Sequence, residues 1–234
     1  MSASILTRLL TGSLFLVLFG CKKGMIENQA DPLLSTGKQG STLTKLNATP
    51  DVYVAGSLGG QAVYWKNGQA VILPGGSFAS AIEVVGTDVH VCGYSTNPST
   101  FVTRALYWLN GVLTPLTDGT EESRTTGIGV TSTGNVYIAG FSGRYTSTPC
   151  YWKNGVRTAL GAPGSGGVTG PVFVATNDDV YIPNRNTNTY WVNGVLNTLT
   201  PPAQPFVHVN VHSVKEIGGV VYAVGSTSQG PNGL

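Results

Sequence analysis

Charge is what this chain has least of. Only 10% of its 234 residues are charged, against about 25% in an ordinary globular protein. Its 13 Lys and Arg are balanced by 11 Asp and Glu, with no basic cluster, which excludes a nucleic-acid footprint. Glu and Lys are too scarce for a protein of long helices. Three cysteines exclude a disulfide-built scaffold. The sequence holds no Gly-x-Ser-x-Gly elbow, phosphate loop or His-Glu-x-x-His helix, and so none of the usual marks of a hydrolase, nucleotide or zinc-protease site. No catalytic set, metal or cofactor is read from it.

What is present is apolar, small and turn-forming. Hydrophobic residues reach 41%, enough for a sizeable core and too many for a disordered chain at a net charge of +2. The polar surface falls to Ser, Thr and Asn, 60 in all, while 32 Gly and 13 Pro supply turns.

The first twenty residues read as a signal peptide. Arg8 precedes an apolar run from Leu9 to Gly20, shorter than the ~20 residues that span a bilayer and placed as a secretory signal requires. An ordinary signal peptide with a chance cysteine is the plainer alternative. Leu18-Phe19-Gly20-Cys21 nevertheless resembles a bacterial lipobox, which implies lipidation of Cys21 as the mature N-terminus. Residues 21–43 have neither helical nor strand periodicity and read as a tether. Lys22 and Lys23 there are read as a solvated start to the linker rather than as headgroup contacts.

Residues 44–234 repeat. One phrase recurs as Val52-Tyr-Val-Ala-Gly56, Val89-His-Val-Cys-Gly93, Val136-Tyr-Ile-Ala-Gly140, Val180-Tyr-Ile-Pro-Asn184 and Val221-Tyr-Ala-Val-Gly225. A second follows the first four of these: Tyr64-Trp-Lys-Asn-Gly68, Tyr107-Trp-Leu-Asn-Gly111, Tyr151-Trp-Lys-Asn-Gly155 and Tyr190-Trp-Val-Asn-Gly194. The tryptophans, the only four in the chain, stand 43, 44 and 39 residues apart. Each unit predicts four short strands: an apolar strand, the Val-Tyr phrase, the Tyr-Trp phrase, then an Asn-Gly hairpin turn and a closing strand. Four strands every 40 to 45 residues predict an all-β β-propeller of four complete blades and a partial fifth; a β-solenoid is the runner-up. Tyr and Trp alternate in face and are expected between blades. An incomplete fifth blade leads us to expect the start of a longer propeller of six to eight blades.

A lipobox followed by these paired phrases resembles uncharacterised Bacteroidota-type lipoproteins with β-propeller repeats. The resemblance implies an outer-membrane location, on the periplasmic or surface face, and no known reaction.

Residues common to every unit are explained by the fold, and residues peculiar to one unit are free to serve function. Asp51, Asp88 and Asp179 are therefore assigned to turns, as is Asp178. Asp118, Glu121 and Glu122 suit paired carboxylates or calcium, with a solvated acidic loop as the preferred reading. His90 replaces a Tyr and is read as a packed substitute. His208 and His212, four apart on a strand, are predicted to share a face but lack a third ligand. Cys92 and Cys150 are read as buried small hydrophobes. The loops between second and third strands differ from unit to unit and carry Tyr94, Phe101, Arg144, Tyr145 and Arg185, rigid aromatic or forked cationic groups suited to recognition. With Glu121 and Glu122 they form the predicted binding face. The expected function is a non-catalytic, lipid-anchored propeller of the bacterial cell envelope. Its partners would be the membrane, through lipid on Cys21, and an envelope protein or glycan. The alternative is a glycan-active hydrolase or lyase using the acidic loop 118–122.

Overall fold

The β-branched and aromatic phrases do form strands, and the Asn-Gly pairs do turn them. The computed structural model describes residues 50–162, 164–185, 187–200 and 207–229; Cys21, the signal segment and the tether lie outside them. Within these residues the protein is all-β, with seventeen strands in five antiparallel sheets and no helix.

The first sheet holds β1 (Tyr53–Leu58), β2 (Gln61–Lys66) and β3 (Gln69–Ile72). The second orders β4 (Phe78–Val85), β5 (Asp88–Thr96), β6 (Thr103–Leu109) and β7 (Val112–Pro115). The third repeats this with β8 (Ser123–Val130), β9 (Val136–Ser142), β10 (Thr148–Lys153) and β11 (Val156–Ala159). The fourth is β12 (Phe173–Val174), β13 (Val180–Asn184), β14 (Thr189–Val192) and β15 (Val195–Thr198). The fifth pairs β16 (Val207–Ile217) with β17 (Val220–Gln229). Strand order follows chain order, so every sheet is a meander; the Asn-Gly turns lie at one end, the turn end, and the second-to-third-strand connections lie with the inter-sheet connections at the other, the loop end. The first strand expected for the first unit falls before residue 50, outside the described residues.

The sheets stack in chain order, and the Tyr-Trp phrase is what joins them. Trp108 and Trp152 are wholly buried and Trp191 nearly so. Trp108 packs on Ala62 and Leu73 of the sheet before it, Trp152 on Cys92 and Ala105, and Trp191 on Ala139. The neighbouring tyrosines face the other way: Tyr64 and Tyr107 pack into the clusters of the second and third sheets, and Tyr151 and Tyr190 into those of the fourth and fifth. Period-2 alternation thus sends one aromatic forward and one back. Burying such rings contributes more than any other side-chain type here.

The Asn of each Asn-Gly turn does two jobs. Asn67, Asn110, Asn154 and Asn193 take φ of 50 to 52°, the left-handed conformation that a two-residue hairpin turn demands. Each side-chain oxygen accepts the backbone N–H that opens the second strand, at Val52, Val89, Val136 and Val180, at 2.8 to 2.9 Å. Each side-chain amide donates to the preceding Asp51, Asp88, Asn135 or Asp179 at 2.7 to 2.9 Å. The turn acids are the partners of these clamps.

A bulge recurs opposite the glycine that ends the Val-Tyr phrase. Register shifts between Ala79 and Ala81, between Thr125 and Gly127 and between Val211 and Ser213. There the bulged strand comes so close that a Cβ on Gly93, Gly140 or Gly225 would fall on the carbonyl of Phe78, Arg124 or Asn210. With the bulge, the first strands of the second and third sheets run eight residues, from Phe78 and from Ser123.

Candidate functional site

Among the described residues, hydrogen bonds join the first three inter-sheet connections to the ends of the second strands or the loops that follow them. Ser77 N–H donates to Tyr94 O at 2.9 Å, Gly143 N–H to Glu122 O at 2.8 Å, Gly166 N–H to Ser147 O at 2.8 Å and Arg185 N–H to Val168 O at 2.8 Å. The predicted residues therefore share one end of the stack.

Two of them meet through a residue the sequence reading passed over. Tyr94 belongs to β5 rather than to a loop, because the bulge carries that strand past Gly93 to Thr96. Its ring is half-buried, stacked on Phe78 at 5.6 Å and covered by the Arg124 guanidinium at 5.0 Å. Arg124 also pairs with Glu122 at 3.3 Å. Tyr94 and Glu122 are thus cemented into one structural group rather than displayed. Arg124 was visible only as the cation beside the acidic pair.

Asp118 and Glu121 line a shallow cleft of about 120 Å³ with Thr117, Thr120, Ser123 and Arg157. Asp118 is shared with an adjoining polar cleft of about 260 Å³, walled by Asn97, Pro98 and Arg104. Thr120 donates both its N–H and its hydroxyl to Asp118, at 2.9 and 2.7 Å. These bonds stabilise the carboxylate and hold its pKa below the usual value.

Phe101 and Tyr145 stand in solvent, 70% and 92% exposed. Phe101 has φ of 58°, a conformation rarely adopted by bulky residues. It is fixed there by its N–H on Asn97 O at 2.8 Å and by Asn97 N–H on Val102 O at 2.9 Å. Arg144 lies over the Tyr145 ring at 5.9 Å. Arg185 is exposed on a third loop.

His90 packs as expected of a Tyr replacement, buried and stacked on Tyr107, whose hydroxyl lies 2.7 Å from its Nδ1. Burial pushes its pKa down. His212 is the bulged residue of β16, unpaired between Val211 and Ser213. Its ring meets Ser226 at 3.2 Å, and the His208 side chain lies outside the described residues. Among the described residues no three His, Cys, Asp or Glu gather as a metal site. Cys92 and Cys150 are free and buried, their thiols pushed up by desolvation to about 12 and about 11.

One cleft was not foreseen. About 380 Å³ opens between the third and fourth sheets, lined by Pro149, Leu160, Gly161, Ser165, Gly166, Gly167, Asn184, Thr187, Trp191 and Leu196. The sequence signal was Asn184, which breaks the Val-Tyr phrase where the other four units carry Gly.

No protein-family model matches the chain, and no curated protein matches it significantly. Among solved structures it is similar to a fucose lectin from Kordia zhangzhouensis in complex with methyl-fucoside. Identity is 13% and the TM-score 0.39, over 52% of this chain and 97% of the lectin.

Proposed function

We propose that this protein is a non-catalytic β-propeller, lipid-anchored through Cys21 at the bacterial cell envelope, that uses its loop end to bind an envelope protein or glycan. The propeller reading is supported by the stacking of successive four-stranded meanders. It is supported too by apolar residues left exposed on the two terminal sheets, Val54 at one and Tyr222 and Val224 at the other, which a ring would cover. The anchor and the outer-membrane location rest on the lipobox and on the resemblance to Bacteroidota-type lipoproteins.

The observation that carries binding is Phe101. A left-handed backbone at a bulky residue costs about 1–3 kcal/mol, and here it sets an aromatic ring in solvent at 70% exposure. Tyr145 and Arg144 are displayed beside it in type if not in space. Hydrolysis by paired carboxylates is disfavoured, because it needs one carboxyl held protonated. Asp118 is biased the other way, and Glu122 is paired with Arg124.

The test is capture from solubilised envelope with wild-type protein and Phe101→Gly. Glycine relieves the backbone, so the variant is expected to gain about 1 kcal/mol of stability while capture falls about tenfold. Raised stability with undiminished capture would remove Phe101 from the binding face. In the same cells Cys21→Ser is expected to release the protein from the membrane fraction; retention would remove the anchor.

A further inference from the structure

In every unit but the fourth, a glycine closes the Val-Tyr phrase. A methyl group on Gly56, Gly93 or Gly140 would press on the indole of that sheet's own Trp65, Trp108 or Trp152. Between the first two sheets the joint is closed. Trp108 Nε1 donates to Pro74 O at 3.0 Å, and its ring fills the space a Cβ on Gly76 would need. In the fourth unit Asn184 takes the glycine's place. The first strand of that sheet shrinks to Phe173–Val174, and continuing its register sets Pro171 opposite Pro183, two residues with no N–H to donate. The chain meets β13 again at the bridge from Thr169 to Asn184, where Gly170 N–H donates to Pro183 O at 2.9 Å. The cleft opens beside this interruption.

Three properties of the cleft define what it would hold. The Asn184 amide nitrogen donates to Thr189 Oγ1 at 3.2 Å, while its Oδ1 is buried with no hydrogen-bond partner among the described residues. A buried acceptor without a donor is costly; Asn184 lines the cleft, and its Oδ1 stands 3.5 Å from where a Cβ on Gly167, another wall residue, would sit. No charged side chain lines the walls, which combine Leu160, Leu196, Pro149 and Trp191 with the hydroxyls of Ser165 and Thr187. The volume falls within the range of small-ligand sites.

We propose that this cleft binds a small neutral sugar, one hydroxyl donating to Asn184 Oδ1 and the C–H face of the ring lying on the apolar wall. Such a ligand supplies the missing donor, carries no charge to be desolvated, and has the two-sided character of the walls. The site is distinct from the Phe101 and Tyr145 loops and does not depend on anchoring.

The experiment is calorimetric titration of the full chain with the methyl glycosides of galactose, glucose, mannose and N-acetylglucosamine. At least one is expected to bind with a Kd of about millimolar order. Asn184→Gly restores the phrase of the other units and is expected to weaken binding by about tenfold or more. Leu196→Glu, a change at an exposed wall position, keeps the test open if Asn184→Gly fails to fold, and is expected to weaken binding about fivefold through the charge it adds. Absence of binding by all four glycosides, or affinity unmoved in both variants, would overturn the site. Loss of envelope capture in Phe101→Gly with sugar binding intact would separate this site from the loop-face reading.

Discussion

The two ends of the stack are built on opposite plans. At the turn end the same Asn clamp is made four times, donor for acceptor, with distances that agree within 0.2 Å. Its polar groups are spent on one backbone N–H and on the side chain of the turn residue before it. At the loop end no two connections are alike. The first inter-sheet joint is sealed by Trp108 on Pro74. The second ties the acidic loop to Arg124 through Glu122, and the third opens around Asn184. Repetition marks what the fold requires, and departure from it marks where the chain is free to bind.

The strongest test of that contrast is at the bulge glycines. Gly140→Ala would drive a Cβ into the Arg124 carbonyl and onto Trp152; neither can withdraw without undoing the third sheet. A loss of about 3 kcal/mol is expected, read as a lowered denaturation midpoint. Asn184→Gly at the matched position of the fourth unit should change stability by less than about 1 kcal/mol, since the glycine's extra chain entropy is offset by removal of an unpartnered acceptor. Equal costs at the two positions would mean that Asn184 is as structural as the glycines, and the contrast between the ends would fail there.

A finer test compares two tryptophans in matched places. Trp108 Nε1 is bonded to Pro74 O, whereas Trp152 Nε1 is buried without a partner. Replacing either by Phe removes similar core volume, but only Trp108→Phe breaks a hydrogen bond. Trp108→Phe should therefore cost about 1 kcal/mol more than Trp152→Phe. A reversed order in thermal unfolding would show that the Trp152 joint is the tighter of the two.

The sequence made the turn end readable and left much of the loop end hidden, and the bulge is the reason. Strand alternation, Asn-Gly turns and the Tyr-Trp phrase are local patterns, and the sheets follow them closely. A bulge leaves only a glycine as its trace, and glycine also reads as a strand terminator. Ending β5 at Gly93 placed Tyr94 in a loop, when the strand in fact runs on and packs its ring under Arg124. Asn184 was legible as a break in the phrase, yet a cleft needs two sheets, and only the stacked structure shows what that break opens.

The smallest effect concerns His90, the one place where the Val-Tyr phrase carries a titratable ring in the physiological range. Burial lowers its pKa in the folded protein below the ordinary 6.5, so the folded state prefers the neutral ring. Below pH 6.5 the unfolded chain takes up a proton that the native protein resists, and stability falls as pH drops through the folded value. Above pH 6.5 the contribution is complete and flat. His90→Tyr returns the ring found in the other four units, keeps an aromatic against Tyr107, and removes the proton linkage. Denaturation midpoints of the two proteins should run parallel from pH 7 to 8 and separate below pH 6.5, the wild type falling faster. Curves that stay parallel into that lower range would mean that His90 is solvated enough to titrate normally. Its place in the stack would then be looser than its contact with Tyr107 indicates.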